Sequence, residues 1–351
     1  MNRDEILQAI RGHRTVEDED LSGIDLSEAD LTGGRFERVC FRNADLSGVN
    51  IRRTGFRDCD FAGACLDRAD LTRVDLRKAR LAGARFRNVI LYMTQLQDAD
   101  LTGADCAGAS FRWSTLQRVR LDRADLSNAR FEKAVLGGAS LKEAEFSGAD
   151  LFKTTFNGAD LTGARLSRAR FFKVLFRGCN LEGQDLRGAR FSQVNATGAN
   201  LKGADLTGAD LRMSNFSEAD LTGACLERAS GEHAMFMKAV LREARMGGAT
   251  FARAYFGGAD LSRADLREAT LTNAVLDSAV CRAARFAGAA CGFADFSHAD
   301  LTGADFTGAG LVNARMHRTV EDHTVWDGAD RTALRGEDAD LTEAEAWSPQ
   351  V

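Results

Sequence analysis

The chain has 351 residues, enough for two globular domains, and a formal net charge of −5 from 46 Lys and Arg against 51 Asp and Glu. It contains no apolar run near 18 residues and no charged-then-apolar leader, so we expect neither a membrane span nor a signal peptide. The composition therefore favours a bacterial cytoplasmic protein, and secretion without a cleaved signal peptide stays open. One Pro beside 34 Gly is typical of a chain that keeps its backbone donors and turns often.

The first predicted element is a short helix from Asp4 to Gly12. Ile6, Leu7 and Ile10 share one side of it, and Gly12 is its expected stop. The residues that follow have a different period. We therefore expect residues 1–18 to form an N-terminal cap on the segment after them.

A period of five begins at Leu21 and continues without a slip to Met316. Leu, Phe or Ile occupies 53 of these 60 positions, here called i, and Ala occupies 42 of the 60 positions at i−2. The residue between them is often Asp, as in Ala29-Asp30-Leu31. Five matches neither the 3.6 of a helix nor the 2.0 of a strand, so the pattern indicates an array of repeats.

This pattern resembles the pentapeptide repeat family over about 85 percent of the chain. The resemblance implies an all-β fold, a right-handed quadrilateral parallel β-helix with four pentapeptides per coil. Residues 19–318 would then form about 15 coils, stacked roughly 4.8 Å apart into a stiff rod. The large residue i and the small residue i−2 would point inward, which leaves i−1, i+1 and i+2 outside.

Sorting the outward positions by coil gives four faces with different charges. The first and second faces, centred on Leu21 and Leu26, carry 11 acids against 9 bases and 13 against 10. The third face, centred on Leu31, carries 6 acids and 12 bases, and the fourth, centred on Phe36, carries 7 and 10. The predicted β-helix therefore has a basic side made of its third and fourth faces.

Bulky residues collect on the same two faces. At i+2 the first two faces hold 17 Gly and the last two hold 6. On the last two faces, where Gly is scarcer, large apolar groups appear at outward positions, including Met213 and Phe293 on the third face and Val135, Met235, Met237 and Tyr255 on the fourth. An apolar patch rimmed with bases is typical of a site for a protein that carries acidic groups. The predicted partner-binding residues are Ile90, Tyr92, Met93, Trp113, Lys133, Phe152, Lys153, Phe172, Lys173 and Leu175.

The predicted coil length of twenty residues indicates which side chains of this patch lie next to each other. Met93 with Trp113, and Phe152 with Phe172, lie one coil apart and are expected to touch. The three lysines form a column in which stacked like charges should repel each other.

Some interior positions break the pattern. Gly231 and Ala196 replace large residues at i, and each would leave a void costing about 1 to 3 kcal/mol unless a neighbour fills it. Filling by a neighbouring side chain is the favoured interpretation, with a bend or bulge near Gly231 as the alternative. Gln184 at i−2 is a further irregularity.

Chemistry-bearing motifs are scarce in the sequence. The eight Cys substitute for repeat residues and are expected to be free thiols, and the five His show no metal-ligand spacing. No phosphate-binding loop or nucleophile with a base is evident. We therefore expect no catalytic residue, no metal, no cofactor and no enzymatic activity.

Residues 319–351 form an acidic C-terminal segment with 9 acids and 2 bases. Three roles stay open for it. These roles are to cap the β-helix, to mediate a homodimer through Trp326 and Trp347, or to remain partly disordered.

The leading functional hypothesis is a non-enzymatic protein–protein interaction rod, acting as a scaffold, adaptor or secretion-associated effector. The resemblance also implies an alternative, a DNA mimic that binds and modulates DNA gyrase as quinolone-resistance members do. The repeat region carries about +4 and no strongly acidic face, which weighs against a duplex mimic. Direct nucleic-acid binding by the basic face is the third hypothesis.

Overall fold

The computed structural model describes residues 1–166 and 168–346, in two compact units, Met1–Asp185 and Leu186–Val351. The first unit holds helix α1 (Arg3–Arg11) and strands β1 (Val16–Glu17), β2 (Arg35–Glu37) and β3 (Gly55–Arg57). These strands form a parallel sheet in the order β1-β2-β3. Helix α2 (Ala339–Ala346) lies in the second unit. No helix of the described residues has the length and apolar character needed to span a membrane.

Beyond these elements, both units are held together by a regular series of single parallel bridges. In the first unit Ile90 pairs with Asp70 and with Ser110, and in the second Ser230 pairs with Asp210 and with Thr250. Each bridge joins residues twenty positions apart, and a turn recurs every five residues. Each unit is therefore a parallel β-helix with twenty residues and four turns per coil.

One repeat shows how the backbone amides are satisfied. Over residues 100–104, the amides of Leu101 and Gly103 each donate to a carbonyl of the next coil at 2.8 Å. The amide of Ala104 closes the turn by donating to the Leu101 carbonyl at 3.0 Å, and that of Asp100 donates to the preceding coil at 3.0 Å. The fifth amide, that of Thr102, donates to the Asp100 carboxylate at 3.0 Å, and the Thr102 hydroxyl does so at 2.6 Å. Asp at i−1 therefore supplies the acceptor that the backbone does not.

The third residue of each turn, i+2, has a positive φ whether or not it is Gly. The angle is 65° at Gly103, 60° at Trp113, 57° at Lys133 and 54° at Lys153. A left-handed backbone suits Gly, but it costs any other L-residue roughly 1 to 2 kcal/mol. The bulky and basic residues at these turns are thus present despite a local backbone cost.

The interior is filled by the side chains at i and i−2, as the period predicts. Phe rings one coil apart stack, with centroids 4.8 Å apart for Phe111 and Phe131. Gln184, the irregular i−2 residue, is buried, and its side-chain amide donates to the Leu161 carbonyl at 2.7 Å. Thr154 satisfies its buried hydroxyl in the same way, on the carbonyl of residue 131. Polar groups at i−2 are therefore tolerated because each reaches a carbonyl of the preceding coil.

The missing side chain at Gly231 is replaced by a neighbour. A Cβ built on Gly231 would lie 2.5 Å from Cδ1 and Cε1 of the Phe251 ring, so that ring occupies the space. The bridges on either side of Ser230 continue, and the expected alternative of a local bulge is not found. Ala196 is buried, and its amide donates to the Asn215 carbonyl at 2.7 Å.

Helix α1 begins at Arg3, one residue before the predicted start, because Asn2 and Glu5 form a capping box. Each of these side chains accepts from the other residue's amide, at 3.0 and 2.8 Å. Ile6 is buried, and the guanidinium of Arg3 donates to the Ser27 carbonyl at 2.8 Å. The helix is therefore tied to the first coils by both apolar and polar contacts.

We predict that Gly231→Ala lowers the free energy of unfolding by about 1 to 3 kcal/mol, because its methyl group meets the Phe251 ring. Phe251→Leu in the same chain should recover part of this loss. Urea unfolding of the two single variants and the double variant measures the coupling between the sites. Strictly additive losses would contradict the assignment of the Phe251 ring to this space.

At Lys153 we predict that the Gly variant is more stable than the Ala variant by about 1 kcal/mol. Both substitutions remove the side chain, and only Gly relieves the left-handed backbone. Thermal unfolding of Lys153→Gly and Lys153→Ala tests this difference. The control is the substitution Ala252→Gly at an i+1 position, where φ is not positive. There the chain with Gly should be less stable than the chain with Ala.

Candidate functional site

The predicted patch contains a ladder of alternating aromatic and basic side chains in the first unit. We call it the aromatic–lysine ladder, and its members are Trp113, Lys133, Phe152, Lys153, Phe172 and Lys173. The rings of Phe152 and Phe172 stack with centroids 5.8 Å apart and planes 5° apart, as expected from their spacing. Trp113 and Phe172 remain 43 and 40 percent exposed. The ladder thus presents large apolar surfaces to solvent.

Each lysine of the ladder lies over an aromatic ring. The ammonium of Lys133 is 3.9 Å from the ring centroid of Trp113, and those of Lys153 and Lys173 are 5.1 and 5.4 Å from the rings of the preceding Phe residues. A cation–π contact at an exposed site stabilises by roughly 0.5 to 1 kcal/mol. These contacts offset the repulsion expected within the lysine column.

Carboxylates do not neutralise these lysines. Within the described part of the chain, no Asp or Glu forms an ion pair with Lys133, Lys153 or Lys173. On the same face, Asp70 pairs with Arg52 at 2.6 Å and Glu132 pairs with Arg112 at 2.7 Å. The three ammonium groups are therefore free to meet an external anion.

The other predicted residues lie beside the ladder. Ile90, Tyr92 and Met93 share one repeat, in which Ile90 is 46 percent exposed and Tyr92 is half-buried. Met93 occupies the turn position one coil before Trp113, with a φ of 56°. Leu175 is half-buried on the adjacent fourth face. The structure thus places all ten residues on two neighbouring faces of the first unit.

A second exposed apolar group lies in the second unit and was not among the predicted site residues. Met213 is 62 percent and Phe293 is 56 percent exposed, more than Trp113 or Phe172 of the ladder. Met235 and Tyr255 are bridged neighbours on the fourth face, and both are exposed. Sorting by face does identify these residues. Their lack of a nearby lysine column distinguishes them from the ladder.

A groove of about 750 Å³ opens on the fourth face of the first unit. Several of its lining charges pair with one another, since Arg77 contacts Asp75 at 2.6 Å and Arg118 contacts Asp98 at 2.7 Å. No ladder residue lines it. Its two lining rings, Phe36 and Phe56, are buried, so the groove lacks the exposed aromatic surface that marks the ladder.

The structure assembles one cluster of possible metal ligands that His spacing did not predict. The Nε2 atoms of His298 and His317 lie 3.0 and 3.5 Å from Oε1 of Glu345 in helix α2. Arg318 contacts the other carboxylate oxygen at 2.6 Å. Partial desolvation raises the pKa of Glu345, but the charges of His298 and Arg318 outweigh it and leave this pKa below its usual value.

The tautomer of His317 argues against metal binding in this arrangement. The backbone N–H of Asp338 donates to Nδ1 of His317 at 3.0 Å, so the proton of the neutral ring resides on Nε2. A ligating Nε2 must be free of a proton, with Nδ1 as the donor. The cluster therefore fits a hydrogen-bonded clasp that holds helix α2 through Glu345. Its signal in the sequence is the separation of the two His by 19 residues, which places them on adjacent coils.

The C-terminal segment also contains a packed tryptophan. The ring of Trp326 stacks on Phe306 with centroids 4.7 Å apart, and the guanidinium of Arg331 lies 4.7 Å from the Trp326 ring. Trp347 falls outside the described residues. A homodimer through these tryptophans stays a prediction.

Substitution of Glu345 by Gln should release helix α2 without unfolding the coils, because it removes the charge that His298 and Arg318 contact. Hydrogen exchange of the Ala339–Ala346 amides should become several-fold faster. Adding Zn²⁺ to the unsubstituted chain should leave the melting temperature unchanged. A zinc-dependent rise that His317→Ala abolishes would contradict the tautomer assignment.

Comparison with known sequences supports the repeat assignment. The family model described as pentapeptide repeats matches in eight copies, at residues 20–54, 56–91, 94–132, 129–168, 175–212, 214–251, 249–280 and 284–320. No protein in the curated set matches the chain significantly.

Among solved structures, the chain is similar to HetL, a pentapeptide repeat protein involved in heterocyst differentiation regulation, from the cyanobacterium Nostoc sp. strain PCC 7120. This match has 23 percent identity and a TM-score of 0.22, and it covers 95 percent of this chain and 96 percent of HetL. QnrB1, a plasmid-mediated fluoroquinolone resistance protein, matches at 22 percent identity and a TM-score of 0.29, covering 58 and 88 percent of the two chains.

The repeat copies extend over most of the sequence, and the twenty-residue bridge register agrees with four pentapeptides per coil. The chain therefore belongs to the pentapeptide repeat family, whose members fold as right-handed β-helices.

Proposed function

We propose that this protein is a non-enzymatic interaction module that binds an acidic segment of a partner protein through the aromatic–lysine ladder. Pentapeptide repeat proteins are in general structural or interaction proteins. The observation that carries the proposal is the column of three lysines, each placed over an exposed or half-exposed ring and none paired with a carboxylate of residues 1–166 or 168–346. A scaffold, adaptor or secretion-associated role in bacteria, with a cytoplasmic site of action, fits this activity.

Backbone geometry supports a functional role for these side chains. Trp113, Lys133, Lys153 and Lys173 all occupy turn positions with φ between 54° and 60°. Gly occupies many equivalent turns on the first two faces, where it avoids the cost of this conformation. Because this backbone conformation favours Gly, contacts outside the chain offer a physical reason for the large side chains here.

The chemistry of the ladder matches that of energetically important interface residues. Exposed Trp and Phe offer large apolar areas, and truncating such anchors commonly costs an interface 2 kcal/mol or more. The lysines add a preference for carboxylates and faster association at low salt. A partner with acidic residues next to apolar residues would satisfy both.

Two other hypotheses predict different behaviour. A gyrase-directed DNA mimic requires a long acidic surface, whereas the outward positions of the third face carry 12 bases against 6 acids. A nucleic-acid-binding surface would use the same lysines with bases stacked on the rings. Purified gyrase in a supercoiling assay and labelled oligonucleotides in a binding assay test these alternatives directly.

The variant Trp113→Glu with Phe172→Glu should lose partner capture from the native host's extract by at least tenfold, since it replaces both exposed anchors with repelling charges. Quantitative mass spectrometry of proteins retained on the immobilised full-length chain measures the loss. Phe293→Glu, at a more exposed turn position of the second unit, is the control. Far-ultraviolet circular dichroism checks that each variant is folded.

Retention of the same proteins by the Trp113 and Phe172 variant would refute the assignment of the ladder as the binding surface. Loss with the Phe293 control alone would move the site to the second unit. Potent inhibition of gyrase by the unsubstituted chain would instead favour the gyrase hypothesis.

A further inference from the structure

The ladder repeats once per coil, and the length of that repeat restricts what can bind along it. Interior rings of the first unit measure the repeat, since the centroids of Phe41 and Phe61 are 4.9 Å apart and those of Phe111 and Phe131 are 4.8 Å apart. The lysines at 133, 153 and 173 therefore follow one another at about 4.8 Å. A ligand that contacts all three must present acidic groups at a similar interval.

An α-helix comes closer to this interval than an extended strand. One helical turn rises about 5.4 Å, whereas residues on the same face of a strand are about 6.7 Å apart. Over the two steps from Lys133 to Lys173, a helix drifts by about 1 Å and a strand by about 4 Å. A lysine side chain is flexible enough to accommodate the mismatch of a helix, whereas the mismatch of a strand approaches the length of a whole repeat.

The aromatic rings add a second requirement. Phe152 and Phe172 lie next to the lysines at i+1, so their backbone positions repeat once per coil, and their stacked ring centroids are 5.8 Å apart. The ligand must therefore carry an apolar row beside its acidic row. On a helix, residues at i, i+4, i+7 and i+11 form one such row, and a second row lies next to it.

We infer that the aromatic–lysine ladder binds an amphipathic α-helix of a partner protein, with about one acidic and one apolar residue per turn. This inference rests on the proposed function and names the class of partner. Together with Met93, which lies one coil before Trp113, the ladder covers four repeats from position 93 to position 173, or about 19 Å. A helix of about 13 residues spans that distance.

A synthetic peptide of about 14 residues tests the inference with the full-length chain. One peptide places Glu at i, i+4, i+7 and i+11 with Leu on the adjacent row, and a second has the same composition with Glu and Leu alternating. Fluorescence anisotropy of labelled peptide should show at least tenfold tighter binding of the helical pattern. Circular dichroism should show a gain of helix on binding.

Lysine variants identify the surface that binds the peptide. Substituting Gln at Lys133, Lys153 and Lys173 should weaken binding of the helical peptide at least tenfold. Lys142→Gln is the matched control, because Lys142 lies on the first face and already pairs with Asp160 at 3.4 Å. It should leave binding within about twofold of the unsubstituted chain.

The outcomes separate this inference from the function on which it rests. If the alternating peptide binds as tightly as the helical peptide or more tightly, or if the helical peptide does not bind, the inference of a helical ligand is overturned. The proposed function is still supported in that case when partner capture depends on Trp113 and Phe172. Tighter binding of a single-stranded or duplex DNA probe of similar length overturns a protein partner. Partner capture that is unchanged by the substitutions at Trp113 and Phe172 overturns the proposed function itself.

Discussion

The structure depends on one constraint, the pairing of each backbone segment with the segment twenty residues away. This register fixes four five-residue sides per coil and brings i and i−2 inward on every side. It also aligns residues such as Lys133 and Lys153, which are twenty positions apart in the sequence but lie on adjacent coils. Because the hydrogen bonds between coils are parallel and recur every twenty residues, a single surface column retains its spacing from coil to coil.

The turns show a tension between the fold and the surface. The backbone at i+2 favours Gly, and the Asp at i−1 supplies an acceptor for the turn amide, as in the pair Asp100 and Thr102. Where the third face departs from Gly, it places Trp113 and the lysines in the same left-handed conformation. The cost is local, about 1 to 2 kcal/mol per turn, and the regular interior tolerates it. Stability comes from the buried positions, which leaves the outward positions able to vary.

Two features illustrate how neighbours modify the repeat. Phe251 fills the space above Gly231, so a residue that breaks the pattern leaves the coil intact. Near the C-terminus, Glu345 brings helix α2 onto His298 and His317, and the Asp338 amide selects the ring tautomer. In both places the outcome depends on a side chain twenty or more residues away. Local sequence does not indicate it.

The sequence alone determined the repeat, because large and small apolar residues recur at fixed positions in every five. Its resemblance to the pentapeptide repeat family then implied the inward positions and the division of outward residues into four faces. It also predicted the stacked pair Phe152 and Phe172, since these lie one coil apart. Only the tertiary structure decided that each ladder lysine lies over a ring without a carboxylate partner, that Phe251 enters the place of Gly231, and that Glu345 reaches the two histidines. The physical reason is that register follows from backbone pairing, which repeats, whereas side-chain direction and the position of a terminal helix follow from individual contacts, which do not.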